Sequence, residues 1–389
     1  MYPREQYLKK IISKKDNGRI KIITGLRRSG KSVLLFRLYR EWLLGEGVKE
    51  DQIIALALDI LENAKYRNPL ELDKYVRDHM VDPKKRYYIF IDEIQFVSEI
   101  RNPYVDNEDA KITFIDVILG FMHMDNADVY VTGSNSRMLS SDILTQFRDR
   151  GDEIRVYPLS FAEFYNEYEG DKRGAWQDYY TYGGMPLATS LESHEEKSRY
   201  LKDLFDRTYI KDVLERHEIK NDTEVLDILL DVLASGIGSL TNPSKLANTF
   251  KSERQIGIGS ETIEKYIGYF EESFLIEKAV RYDVKGRKYI GTPAKYYYTD
   301  LGLRNARLGF RQPKVDFVVN QGCKRFYIQS ALSIADPEKK EQEIESLKSI
   351  PDSFSKIVVV RDYLKPWQDE NGITYVGIEQ FLLNEDLLK

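Results

Sequence analysis

Apolar runs of about five residues alternate with amphipathic stretches through the first 160 residues of the chain. The runs near residues 20–24, 53–58, 87–91, 128–132 and 153–157 predict strands. The intervals between them carry apolar residues at helical spacing, which predicts a mostly parallel sheet covered by helices on both faces. In such a sheet a ligand binds at the carboxyl ends of the strands. The acidic stretch from Glu99 to Asp109 interrupts the alternation and reads as a surface loop, and the segment 1–160 closes near Tyr157 to Phe161.

Beyond that point the pattern changes three times. Residues 161–235 are helical throughout, with Gly183, Gly184 and Pro186 ending one helix and starting the next, which predicts a helical lid. Residues 236–312 give a short helix from Asn242 to Phe250, a longer one from Ser260 to Phe274, and strands at Leu275–Asp283 and Ala294–Asp300 around the basic turn Lys285, Arg287 and Lys288. Helix, turn, helix and hairpin together describe a winged helix. Residues 313–389 alternate again, with a hairpin over Val315–Val319 and Arg325–Gln329, a helix from Pro337 to Ser349, strands at Lys356–Val360 and Ile373–Val376, and a helix at Ile378–Leu383, a small α/β domain.

The chemistry sits where the first sheet places its strand ends. Gly25 to Ser32 spells G-x-x-x-x-G-K-S between the first strand and an amphipathic helix. A glycine turn feeding any helix can match this spacing, but a strand before and a helix after are the context a phosphate-binding loop requires. The backbone of Gly25, Arg28, Ser29, Gly30, Lys31, Ser32 and Val33 then supplies N–H groups to phosphate oxygens at a helix N-terminus. Lys31 reaches the outer phosphates, and Ser32 ligates Mg²⁺. The strand at Tyr87–Ile91 runs into Asp92 and Glu93, the pattern of a Walker B strand: Asp92 holds the Mg²⁺ shell and Glu93 orients an attacking water. The next strand ends in Gly133, Ser134 and Asn135; Asn135 is the first candidate to contact the terminal phosphate or the water, and Ser134 the second. Arg150, with Arg148 as the alternative, precedes the last core strand and is placed to reach a nucleotide held by a neighbouring subunit, which implies a homo-oligomer. A phosphoryl transfer to a small-molecule acceptor would use the same loop, but the Asp92–Glu93 pair favours water as acceptor.

Composition narrows the class. With 42% hydrophobic and 31% charged residues the chain is an ordinary globular protein. No apolar run approaches a membrane span and the N-terminus shows no signal-peptide core, so a cytoplasmic protein with no membrane partner is expected. A lone cysteine, Cys323, excludes an intramolecular disulfide, and four histidines without ligand-like spacing leave Mg²⁺ as the metal with a sequence argument. The net charge of −5 argues against a wholly basic surface without excluding a local one. In the winged-helix segment, Lys285, Arg287 and Lys288 suit DNA phosphates, whereas Glu261, Glu264, Glu271 and Glu272 on the second helix repel them. A DNA partner and a protein partner therefore both stand.

Gly25 to Ser32, Asp92–Glu93, Gly133 to Asn135, Tyr157 to Phe161, Tyr182 to Pro186 and Tyr298 to Arg304 together resemble a prokaryotic family of AAA-type (AAA+) P-loop ATPases. The resemblance extends over essentially the whole chain and implies an α/β P-loop NTPase core, a winged helix and a C-terminal domain similar to the PD-(D/E)xK nucleases. It also implies ATP as the nucleotide. The chain departs from that family's nuclease motif: Asp316 is followed by Gln329, Ser330 and Ala331 where Glu-x-Lys is expected, and the interval from Leu303 to Val315 is too short for the helix usually found there. Loss of the metal-binding carboxylate and of the lysine predicts an inactive nuclease-like domain. Two functions follow as expectations: an ATPase acting on DNA or a DNA-bound partner, or a nucleotide-dependent switch acting through protein partners.

Overall fold

A computed structural model describes residues 2–134, 151–219, 223–253, 256–283, 288–308, 317–321, 324–334, 340, 344, 347–348 and 354–388. The chain divides into two compact units, one of Met1–Pro158 with Gly268–Leu275 and one of Leu159–Ile267 with Ile276–Lys389.

The first unit is built on β1 (Ile20–Thr24), β2 (Ile53–Ala57), β3 (Tyr87–Asp92), β6 (Ala127–Thr132) and β7 (Gly151–Arg155). They lie in the order β2-β3-β6-β1-β7, and every pairing is parallel. β1 and β3 are buried along their whole length, as central strands covered on both faces must be, whereas β2 alternates at the sheet edge. The period of two then divides one strand between two cores. Ile20 and Ile22 join Ile89, Ile91, Leu72, Ile118 and Phe121 on one face, and Ile23 joins Tyr88, Phe90, Tyr130, Leu35 and Tyr39 on the other.

The first face is closed by helices Pro69–His79 and Phe114–Met122. Asn68 caps the former by accepting from Leu70 N at 2.9 Å, and Thr113 and Asp116 form a capping box on the latter. The second face is closed by Glu5–Ser13 and by the helix that opens at Lys31–Val33, passes through a π-helical stretch at Leu34–Tyr39 and ends as Arg40–Gly45.

Two expectations need correction. β7 begins at Gly151 and ends at Arg155, two residues earlier than its apolar pattern indicates, because pairing with β1 sets Ile20 against Gly151 and Thr24 against Arg155. The acidic stretch after β3 is not plain loop: β4 (Ile100–Arg101) and β5 (Lys111–Ile112) pair as a small antiparallel hairpin.

The second unit opens with helices Phe161–Asn166, Ala175–Tyr182 and Pro186–Thr189, followed by a continuous helical run in three segments, His194–Leu204, Phe205–Ile210 and Lys211–Arg216, and then Thr223–Ser235. Helix Pro243–Glu253, the antiparallel hairpin β8 (Ile276–Asp283) and β9 (Lys288–Tyr298), and helix Leu301–Leu308 come next. β9 starts six residues before its expected boundary at Ala294, because cross-strand pairing with β8 extends the ladder to Lys288. The final sheet runs β10-β11-β12-β14-β13, from β10 (Phe317–Gln321), β11 (Lys324–Ala331), β12 (Ser355–Val360), β13 (Trp367–Gln368) and β14 (Ile373–Gly377). β10 and β11 form the expected hairpin, β11, β12 and β14 are parallel, and the two-residue edge strand β13 is too short to leave a sequence pattern.

Three of the motifs that carry the family resemblance meet at one buried carboxylate in this unit. Asp300 accepts from Gly184 N at 2.7 Å and Leu303 N at 2.9 Å, so it both caps helix Leu301–Leu308 and fixes the Gly183–Gly184 turn. Leu159 N in turn donates to Gly184 O at 2.7 Å. A side chain at Gly184 would place its Cβ 2.1 Å from Leu159 O, so only glycine permits this approach.

Burial pushes the Asp300 carboxyl up to about 6 despite its N–H donors. The folded unit therefore holds a proton that the unfolded chain has lost between about pH 4 and 6, and stability from this group falls as pH rises through that window, by up to about 3 kcal/mol. Unfolding free energies from urea titrations at pH 4 and pH 7 should differ less in Asp300→Asn than in wild type by that margin; parallel pH dependence in the two proteins would contradict it.

Candidate functional site

The loop after β1 turns at Gly25, whose φ is 134° and whose added Cβ would lie 2.0 Å from Val156 O, so the backbone passes where no side chain fits. Arg28 (φ 64°) and Gly30 (φ 99°) are also left-handed, and the chain enters helix at Lys31. Lys31 is 3% exposed, and its Nζ donates to the carbonyls of Gly25 and Leu26, each at 3.0 Å. Burial holds its ammonium below the usual lysine range, against the opposing pull of Glu93 and Asp92. The Ser29 hydroxyl is buried and has no hydrogen-bond partner among the described residues, a polar group that a phosphate oxygen would satisfy.

Asp92 ends β3 beside this loop. Its carboxylate accepts hydrogen bonds from Ser32 and Thr132, and burial pushes its pKa up against both. The sequence-predicted metal residues Ser32 and Asp92 are thus brought into contact, and their hydroxyl and carboxylate oxygens are the hard donors that suit Mg²⁺. Glu93 follows with φ 52°, a left-handed conformation that costs a non-glycine residue energy and is concentrated at functional sites. Its backbone N–H donates to Thr132 Oγ1 at 3.0 Å. Its carboxylate accepts from Gln95 Nε2 and, at 3.1 Å, from Ser134 Oγ.

Every described candidate of the nucleotide site therefore lies at the carboxyl end of the parallel sheet, on the loops after β1, β3 and β6. Ser134, the second choice for a phosphate contact, is bonded to Glu93 instead. Asn135, Arg148 and Arg150 lie outside the described residues, as do Asp316, Lys285 and Arg287. Thr132 and Gln95 had no assigned role from the sequence. Thr132 terminates the strand that the sheet places beside Asp92, a relation visible only once β6 is known to neighbour β3. Gln95 is separated from Glu93 by one residue, and its amide is the local sequence signal of a partner for that carboxylate.

A family model described as "AAA domain" matches residues 17–165, and a second, described as a domain of unknown function, matches residues 173–314. The chain is 30% identical over 417 aligned positions to an uncharacterized protein of Haemophilus influenzae, covering 98% of this chain and 99% of that one. An uncharacterized protein of Methanocaldococcus jannaschii is 28% identical over 312 positions, covering 76% of this chain and 64% of that one. Solved structures with similarity include the Orc1 protein of Aeropyrum pernix in complex with DNA (13% identity, TM-score 0.31, 79% of this chain and 92% of that one). The Cdc6 protein of Pyrobaculum aerophilum gives 12% identity, TM-score 0.31, and 79% and 93% coverage. With a P-loop on the first strand of an all-parallel α/β sheet and near full-length similarity to the Haemophilus protein, the chain belongs to that protein's family and carries an AAA domain of P-loop type at residues 17–165.

Proposed function

We propose that the protein binds ATP with Mg²⁺ and hydrolyses it, and that it uses the cycle to act on DNA or a DNA-associated partner. The observation that carries the reading is the convergence of Lys31, the Ser32–Asp92 pair and Glu93 at the carboxyl end of the parallel sheet. Lys31 exchanges the carbonyls of Gly25 and Leu26 for phosphate oxygens. Ser32 and Asp92 would hold Mg²⁺, which would supply positive charge against the charge that develops on the phosphates. Glu93, fixed at its backbone by Thr132, orients the attacking water and takes up its proton. Asn135 contacts the terminal phosphate, and Arg150 serves a nucleotide on a neighbouring copy, which makes the active species a homo-oligomer.

The domain assignments proposed are an ATPase core at 1–160, a helical lid at 161–235, a winged helix at 236–312 and an inactive nuclease-like domain at 313–389. β11 carries Gln329 and Ala331 at the positions where a nuclease of that type needs carboxylate and lysine. A second reading, a switch acting through protein partners, is favoured by one observation: helix Ser260–Glu272, the element that would enter a major groove, carries four glutamates.

Steady-state ATP hydrolysis with Mg²⁺, with and without duplex DNA at low and raised salt, separates these readings. DNA stimulation that fades as salt rises supports the DNA-directed ATPase, because phosphate contacts release counterions. Hydrolysis indifferent to DNA moves the assignment to the protein switch, and absence of hydrolysis removes both. Cleavage of DNA or RNA would overturn the inactive assignment of the last domain.

A further inference from the structure

Gln95 lies in the short turn Ile94–Phe96 directly after Glu93 and is half-buried. Its Nε2 donates to Glu93 Oε2 and, at 3.3 Å, to Ser134 Oγ, while Ser134 Oγ donates to the same Glu93 oxygen at 3.1 Å. A carboxylate can only accept, so this triangle fixes which end of the amide faces Glu93. Gln95 Oε1 is left buried with no hydrogen-bond partner among the described residues. Buried acceptors are almost always paired, so an open one beside Glu93 calls for a partner that the described residues do not supply.

We infer that Gln95 is a positioning residue for hydrolysis. Its Nε2, with Ser134, locks the Glu93 carboxylate in one orientation, and its Oε1 is the second acceptor for the attacking water. One water proton leaves toward Glu93 while the other is held by Gln95 Oε1. The water oxygen forms the new bond to the terminal phosphorus, and the bond to the leaving ADP breaks. Two acceptors on one water aim its lone pair, which is an orientational contribution to rate and not a contribution to nucleotide binding.

This inference rests on the ATPase reading. In the full chain, Gln95→Met, close in size and without hydrogen bonding, should lower kcat by about 10–100-fold with KM and ATP affinity changed by less than about twofold. Gln95→Asn, which keeps the amide but withdraws it by one methylene, should show the same split. In Glu93→Gln/Gln95→Met the rate should fall no further than in Glu93→Gln alone, since both residues act on one water. Wild-type kcat in Gln95→Met, additive losses in the double variant, or a loss of kcat matched by a loss of ATP binding would each overturn the inference while leaving the ATPase reading intact. A wild-type protein that does not hydrolyse ATP would overturn both.

Discussion

Glu93→Gln should bind ATP as tightly as the wild-type protein and turn it over about 10²–10⁴-fold more slowly, the range lost when a positioned general base is removed. The substitution keeps the size of the side chain and an oxygen able to accept from Ser134, so the pocket keeps its shape. What it removes is the negative charge that polarises the water. Lys31→Ala acts on the other side of the cycle. The ammonium now on the Gly25 and Leu26 carbonyls is the group that would meet the outer phosphates. Charge-assisted hydrogen bonds contribute about 1.5–3 kcal/mol each, so ATP affinity should fall about 10–150-fold for each one lost. Binding measured by calorimetry beside steady-state turnover distinguishes the two: a Glu93→Gln protein with normal turnover would remove Glu93 from its role, and a Lys31→Ala protein with normal affinity would remove the phosphate loop from its own.

Lys21→Met should destabilise the first unit by about 3–5 kcal/mol while leaving every nucleotide-site residue in place, the cost of breaking a buried ion pair from one side. Lys21 and Asp128 are both fully buried and joined by a hydrogen bond, in the half of the sheet away from the P-loop. Around them, Tyr130 donates to Asp128 Oδ2 at 2.7 Å, the Tyr39 hydroxyl lies 2.6 Å from that of Tyr130, and Asp16 N donates to Asp128 at 2.9 Å. Burial lowers the Lys21 pKa, with Asp128 opposing. The apolar Lys21→Met/Asp128→Leu pair should lose less than Lys21→Met alone, since no uncompensated charge is left inside, although Tyr130 and Asp16 then lack an acceptor. Urea unfolding of the three variants checks this; a Lys21→Met protein within 1 kcal/mol of wild type would show that solvent reaches the pair.

The two predictions differ in how far the sequence announced them. The positions of Lys31, Ser32 and the Asp92–Glu93 pair at the strand ends were legible because each proposed role corresponds to a short local pattern: a phosphate loop needs fixed glycine spacing, and a carboxylate at a strand end needs an apolar strand before it. Lys21 gave no such sign. A lysine within an apolar strand reads as an exception to the hydrophobic pattern, and only the register that sets Lys21 against Tyr130 shows where its charge goes. The motifs at Leu159, Gly184 and Asp300 were legible as a resemblance but not as structure, because they form a single hydrogen-bonded junction in which Asp300 lies 116 residues beyond Gly184.

The sequence by itself determined the alternation of strand and helix, the placement of the phosphate loop after the first strand, and the acidic pair ending the third. These are properties of neighbouring residues, set by side-chain period and backbone freedom. The tertiary structure alone decided the strand order β2-β3-β6-β1-β7, and with it the Thr132 contact to Asp92 across 40 residues and the Ser134 contact to Glu93 across 41. The physical reason is that a parallel sheet joins strands through crossovers of many residues, so which strand ends become neighbours depends on burying both faces at once and not on any local pattern.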